Sequence, residues 1–258
     1  MKEFSAELHI HTALSPCADN DMTPQNIVRM AKLNGIDILG ITDHNSAENA
    51  EAVFEAASDY GITVFYGMEI QTREEVHLLC YLKDIEDMLD WQEYVYLHLP
   101  LLENEEQIFG QQLIIGSDDV IRGRQRRLLL NSVDLGVAQV ADEIRKRDGL
   151  CIPAHIDRSS GGIIAVLGFL PPDAKFDGFE VSPCASEHVI DAMVKIEPRL
   201  QKEHLVCFQD SHRLEDMCFK HTSFYINEPN FDEIRLALTG TAGRKVVVTR
   251  PQVTDCAL

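Results

Sequence analysis

Glu7-Leu8-His9-Ile10-His11-Thr12 sets two histidines at alternate positions of a short apolar stretch. In a β-strand residues i and i+2 face the same way, so His9 and His11 project side by side, a spacing suited to one metal ion. A His-x-His pair alone fits the polar face of a surface strand equally well. The downstream pattern tips the balance toward a metal. Asp43-His44 closes an apolar run, Glu69 ends another, His77 lies in a third, His155 ends a fourth and Asp210-Ser211-His212 follows a fifth. Six of the ten histidines thus occupy corresponding places in a repeating pattern. Imidazoles mixed with carboxylates suit zinc, manganese or iron, and a carboxylate such as Glu69 can bridge two ions. With an acidic loop at Asp19 or Asp21, the set exceeds the needs of one tetrahedral zinc, so two to three divalent ions are implied.

Strands and helices in alternation must deliver these groups. Thr23 reads as an N-cap with Pro24 in the first turn, and Asn34-Gly35 as the stop of that helix. Ile36 to Thr42 is a nearly continuous apolar run, the pattern of a parallel strand buried on both faces. A second helix is expected over 47–60, a third strand over 63–70 and a fourth over 75–81. This alternation predicts a parallel α/β architecture with its site at the carboxyl ends of the strands. The rhythm breaks over 84–149, read as a helical insertion subdomain capping the barrel. It carries Arg122, Arg124, Arg126 and Arg127, a solvated face or a contact for an anionic substrate. Strands resume at 150–155, 176–181 and 205–209, and 221–226 and 245–249 close the pattern around a helix at 232–238.

A chain of 258 residues with 45% hydrophobic and 25% charged content fits one large domain with an insertion. No apolar run approaches the roughly 20 residues of a membrane-spanning helix. The start, Met1-Lys2-Glu3-Phe4-Ser5, lacks the apolar core of a secretory signal. Seven cysteines without a Cys-x-x-Cys pair read as reduced thiols rather than a disulfide framework. Together these features place the protein in the cytoplasm. A net charge of −19 argues against an extended nucleic-acid footprint, though a local cation can still take one phosphate.

The ordered motifs His9-Ile-His11-Thr, Ile41-Thr-Asp43-His44-Asn45, Gly67-Met-Glu69, His77-Leu-Leu, Pro153-Ala-His155 and Asp210-Ser-His212 resemble the PHP (polymerase and histidinol phosphatase) family. The resemblance implies a distorted (β/α)7 TIM-like barrel, and the 84–149 segment looks like the helical subdomain of members acting on nucleotides. It further implies a trinuclear site: His9, His11, Glu69 and Asp210 on one ion, Glu69, His77 and His155 on a second, and His44, His212 and a loop acid on the third. The family commonly has Ser-Asp-Gly in that loop, whereas Ser15 here is followed by Pro16-Cys17-Ala18-Asp19. Asp19 is the expected ligand, with Cys17 and Asp21 as alternatives. Glu7 stands where the family often has aspartate.

The expected chemistry is attack by a metal-activated hydroxide on a small phosphorylated substrate. Asp43 would support a ligand, Asp210 would ligate and accept the attacking water's proton, and Arg158 would clamp phosphate. Ser159-Ser160-Gly161-Gly162 can add hydroxyls or backbone N–H groups, or be a plain turn. The leading expectation is a phosphomonoesterase, with nucleotides among its candidate substrates. Alternatives are a phosphodiesterase or exonuclease on short oligonucleotides, a non-catalytic metal-braced module, and a C–N hydrolase on a similar barrel.

Overall fold

The first unit forms as its punctuation dictates. Thr23 is extended, its hydroxyl accepts the Asn26 N–H, Pro24 sits in the first turn, and the helix Pro24–Asn34 stops at Gly35 with φ 63°. The computed structural model describes residues 1–200, 204–218 and 221–249.

Eleven strands occur among the described residues: β1 (Lys2–Ile10), β2 (Ile38–Ile41), β3 (Thr63–Gln71), β4 (His77–Leu82), β5 (Leu113–Ile115), β6 (Ile121–Arg124), β7 (Leu150–Pro153), β8 (Phe179–Val181), β9 (Leu205–Cys207), β10 (Thr222–Ile226) and β11 (Lys245–Val248). The main sheet runs β11-β10-β1-β2-β3-β4-β7, and β8 pairs with β9 in parallel. The β8–β9 pair contacts β7 on one side and β11 on the other, so the curled sheet and this pair form the wall of an α/β, TIM-like barrel.

Only part of the sheet is parallel. β1, β2 and β3 are parallel, but β4 runs antiparallel to both β3 and β7. The reason is length: residues 72–76 are far too few for a crossover, which takes a dozen or more, so a hairpin forms with Glu75 at φ 65°. His77 therefore opens its strand instead of ending it. Antiparallel pairing sets it opposite Gln71, which returns it to the rim where β3 presents Glu69.

Segment 84–149 holds the helix Ile85–His98, a short turn of helix Glu106–Phe109, the β5–β6 hairpin and the helix Val137–Lys146. The last of these packs on β4 and β7. One apolar cluster, including Ile27, Val53, Met68, Leu78 and Ile144, fills the space between sheet and helices. A second, including Leu8, Ile38, Phe65, Leu79, Ile152, Val206 and Phe224, joins strands around the curl. No helix among the described residues is long and apolar enough to cross a membrane.

Cys17, Cys80 and Cys151 are thiols. The expectation of reduced thiols throughout fails at Cys184, which sits on an exposed turn and is disulfide-bonded. Cys256 lies outside the described residues.

Close backbone packing of β2 on β1 sets the strand that carries His9 and His11. A Cβ on Gly40 would stand 2.5 Å from the Leu8 carbonyl oxygen, which also accepts the Tyr81 hydroxyl at 2.7 Å. Gly40→Ala should cost about 1–3 kcal/mol, the usual price of overpacking. At roughly 2–4 °C per kcal/mol, calorimetry should show the thermal midpoint fall by several degrees. An unchanged midpoint would mean that β1 can shift freely.

Candidate metal centre

The rim formed by the ends of β1, β2, β3, β7 and β9 and the start of β4 gathers eight of the nine expected ligands. Glu69 is the hub and is buried. Its Oε1 lies 2.9 Å from His77 Nδ1, 3.3 Å from His155 Nε2 and 3.4 Å from His9 Nε2; its Oε2 lies 3.0 Å from His44 Nδ1 and 3.4 Å from His11 Nε2. Asp210 Oδ1 stands 3.1 Å from His9 Nε2, 3.2 Å from His11 Nε2 and 3.5 Å from His212 Nδ1. His212 stacks on His11 with ring centroids 4.2 Å apart.

Burial alone would raise both acidic side chains, but the imidazoles overrule it. His77, His9 and His44 hold Glu69 well below the usual carboxylate range, and His9 and His11 do the same for Asp210. His11 is pushed well below the ordinary imidazole range by burial and by neighbouring His212 and His44, which keeps it neutral.

Hydrogen bonds behind the rings indicate what the front nitrogens are for. His9 Nδ1 donates to buried Glu180, both of whose oxygens lie 3.0 Å away, so Nε2 is the nitrogen turned into the site; against the effect of burial, Asp210, Glu180 and Glu69 raise this imidazole well above its ordinary range. Ser15 Oγ donates to Asp43 Oδ1 at 2.6 Å and therefore accepts from His11 Nδ1 at 3.1 Å, leaving His11 Nε2 bare. The two Nε2 atoms lie 3.2 Å apart and face carboxylate oxygens. Asp210 Oδ1 is buried without a hydrogen-bond partner. Positive charge at this point, a proton on His9 or a metal ion in its place, offsets the carboxylates. Atoms held tetrahedrally about 2.0–2.2 Å from one ion sit roughly 3.3–3.6 Å apart, which these spacings approach. His9, His11 and Glu69, then His44, Glu69 and His77, and then His11, His44 and His212 each form a group able to hold an ion.

Asp43 lies beside Thr12 and Ser15, behind the His11 ring. It is fully buried and accepts from the Thr12 N–H, the Thr12 hydroxyl and the Ser15 hydroxyl; burial raises its carboxyl while these bonds oppose the rise. Arg158 also reaches the site: one guanidinium nitrogen lies 2.5 Å from Asp210 Oδ2, and Nε donates to Ser182 Oγ at 3.2 Å. The Gly161 carbonyl accepts the His77 N–H.

Asp19 is not brought in. Its side chain is 62% exposed and its carboxylate faces Arg213 at 3.9 Å. Backbone bonds from Ala18 to Ser15 and from Met22 to Asp19 fold the loop into turns that send the 19 and 21 side chains outward. Cys17 lines the pocket instead, beside His44 and His212, with its thiol pushed up to about 12 by burial and by Glu69 and Asp210. The arginine cluster lies elsewhere: Arg122, paired with Asp118, and Arg124, paired with Glu106, line a cavity with Arg126 that shares no lining residue with the metal pocket, and Arg127 stacks on Tyr96.

Two buried acids escaped the sequence reading. Glu180 lies in β8, and besides His9 it accepts the His155 N–H at 2.9 Å. Its signal was a lone carboxylate within an apolar strand, but nothing linked it to a histidine 171 residues away. Glu7, noted only as a departure from the family pattern, accepts the Gln209 and His9 N–H groups, and burial pushes its carboxyl well up.

A model of the PHP domain matches residues 7–159. The chain belongs to the PHP domain family. PHP proteins are metal-dependent phosphoesterases and nucleases, in keeping with the histidine and carboxylate cluster. Protein MJ1587 of Methanocaldococcus jannaschii is 34% identical over 79 residues, 28% of this chain and 46% of that protein. Among solved structures, the lesion-specific endonuclease PfuEndoQ of Pyrococcus furiosus matches with a TM-score of 0.68 at 20% identity, over 95% of this chain and 58% of that one. A protein described as a metal-dependent phosphoesterase from Bifidobacterium adolescentis matches with a TM-score of 0.57 at 17% identity, over 93% and 97%. The chain therefore spans about half the length of MJ1587 and of PfuEndoQ, and these structural likenesses establish a shared fold.

Two outcomes test the centre. Saturation with a divalent ion at about 100 times its dissociation constant should stabilise the chain by about 2.7 kcal/mol, and chelation should reverse the gain. Calorimetry would read this as roughly 5–10 °C in the midpoint. Glu180→Gln, which keeps shape but weakens the hold on His9, should reduce metal affinity about 10–100-fold by titration calorimetry. Full affinity in that variant would show that Glu180 only fills space.

Proposed function

We propose that this PHP protein hydrolyses a small phosphomonoester. The observation that carries this reading is the pocket over the cluster. It is a cavity of about 310 Å³ in which Arg158 is the one lysine or arginine among the described lining residues, beside His44, Glu69, His77, His155, Asp210 and His212.

His9, His11, Glu69 and Asp210 would hold one ion, Glu69, His77 and His155 a second, and His44 with His212 a third. When bound, the ions supply a hydroxide nucleophile at neutral pH and neutralise charge on phosphoryl oxygens. Glu180 and the Ser15–Asp43 pair keep His9 and His11 in the tautomer that presents Nε2. Arg158, anchored by Asp210 and Ser182, offers its remaining N–H groups to one phosphate. Asp210 would also accept the attacking water's proton.

A second reading, cleavage of a phosphodiester in nucleic acid, is favoured by the fold shared with endonuclease Q, which has been solved with a 27-mer duplex carrying an abasic lesion at its active site. The single lining cation and the net charge of −19 speak for the monoester.

The deciding assay gives metal-loaded protein aryl and alkyl phosphomonoesters, a phosphodiester and an abasic duplex. Inorganic phosphate should be released from monoesters only, and chelation should abolish release. Glu69→Gln should lower kcat by at least the ~10²–10³-fold that loss of one transition-state-stabilising group costs. Strand cleavage of the duplex with no phosphate release from monoesters would reverse the assignment.

A further inference from the structure

Arg158 and Ser160 line two cavities at once. On one side lies the metal pocket; on the other is a separate cavity of about 560 Å³, also lined by Asp157, Ser159, Ser182 and Gln209. A phosphoryl group at the metal pocket against Arg158 would therefore direct its ester oxygen along a wall that continues into the second cavity.

The lining of that cavity has a definite chemistry. Three serine hydroxyls donate and accept. Asp157 uses Oδ1 to accept the Ser182 N–H at 2.7 Å, which leaves Oδ2 as an acceptor. Gln209 Oε1 is engaged by His221 at 2.7 Å, which leaves its amide NH₂ as a donor. Ser182 Oγ already accepts from Arg158 Nε, which leaves its own O–H to donate. Among the described residues no aromatic side chain lines the second cavity to stack on a base, the rings of the metal pocket are its histidines, and neither cavity has a lysine or arginine beyond Arg158 to hold a second phosphate. Hydroxyls, one amide and one carboxylate oxygen, offering both donors and acceptors, match a chain of hydroxyls.

We propose that the second cavity is a leaving-group subsite for a polyol, so that the substrate is a sugar or polyol monophosphate. This rests on the phosphomonoester reading above and adds the identity of the alcohol. In the reaction water's oxygen bonds to phosphorus, the ester P–O bond breaks, and the departing alkoxide takes a proton, giving free polyol and inorganic phosphate. Arg158 divides the site, with phosphate on its metal side and hydroxyls on its serine side.

The test compares kcat/KM for a hexose monophosphate with that for methyl phosphate, whose alcohol is too small to enter the second cavity, using the metal-loaded full chain. The wild type should prefer the hexose ester by at least tenfold. Ser159→Trp, which fills the cavity, should bring the ratio toward one. Ser160→Ala should lower it about 2–10-fold, the effect of one hydrogen bond. The metal-dependent thermal midpoint of each variant reports folding. An unchanged ratio in Ser159→Trp, or adenosine monophosphate turned over faster than the hexose ester, overturns the subsite and leaves the phosphomonoesterase standing. Failure to release phosphate from any ester overturns both.

Discussion

The barrel rim depends on one electrostatic problem, a buried carboxylate ringed by imidazoles and further buried acids. Glu69 touches five histidines, and Glu7, Asp43 and Glu180 lie within hydrogen-bonded reach of the same set, all but closed to solvent. Among the described residues Arg158 is the one guanidinium that reaches this cluster. Charges removed from water demand partners, and one arginine is too few for so many acids. Divalent cations supply the missing charge, which couples folding of the rim to metal binding. Burial raises Glu7 and Asp43, so the chain itself lessens part of the load by favouring their neutral forms.

Backbone geometry reflects the same constraint. His155 and Asp210 adopt positive φ, at 29° and 57°, and so does Asn45 beside His44, at 49°. Residues without a glycine's freedom hold such angles only where their surroundings over-determine them. Here Glu180 takes the His155 N–H, and the Asn45 amide donates to the carbonyls of Leu129 and Asn131 while accepting the Gln71 N–H. That amide ties the long 84–149 segment to the strand end next to His44. Gln112 grips the same stretch from the other side, through the carbonyls of Gln125 and Arg127 and the Leu129 N–H. Leu130, between these anchors, forms part of the pocket wall. The segment therefore shapes access to the centre through two buried amides, while its arginines face away.

How much of this was legible in the sequence depended on the range of each interaction. Thr23, Pro24 and Gly35 encode the first helix locally, and they stand where the spacing predicts. The histidines were legible because each falls at a rim position, a pattern that survives errors of one or two residues in strand boundaries. The direction of β4 was misjudged because apolar content does not report polarity; the shortness of residues 72–76 did carry that information. Asp19 was misplaced for a different reason. A carboxylate near a motif satisfies composition, but turns at Ser15–Ala18 and Asp19–Met22 decide which side chain faces inward, and that resides in backbone hydrogen bonds no motif displays. Glu180 was beyond reach because its partner is brought near only when the barrel curls.

The metal ligands and the walls around them answer separate questions. The cluster is shared with a family whose members cleave phosphoesters, and its geometry would serve a monoester or a diester alike. A polyanion needs repeated cations along its path, and its attraction falls steeply where carboxylates dominate. This chain carries −19 overall, and its clustered arginines are largely spent on Asp118, Glu106 and the Tyr96 ring. Beyond Arg158, the polar lining of the neighbouring cavity is the hydroxyls of Ser159, Ser160 and Ser182, the Gln209 amide and the Asp157 carboxylate. Hydrogen-bonding walls discriminate by whether each donor and acceptor is met, a more stringent filter than apolar fit, because an analogue lacking a hydroxyl leaves a polar group unpaired. On the proposed reading, a barrel whose fold resembles that of a DNA-lesion endonuclease selects a small polyol ester through its walls.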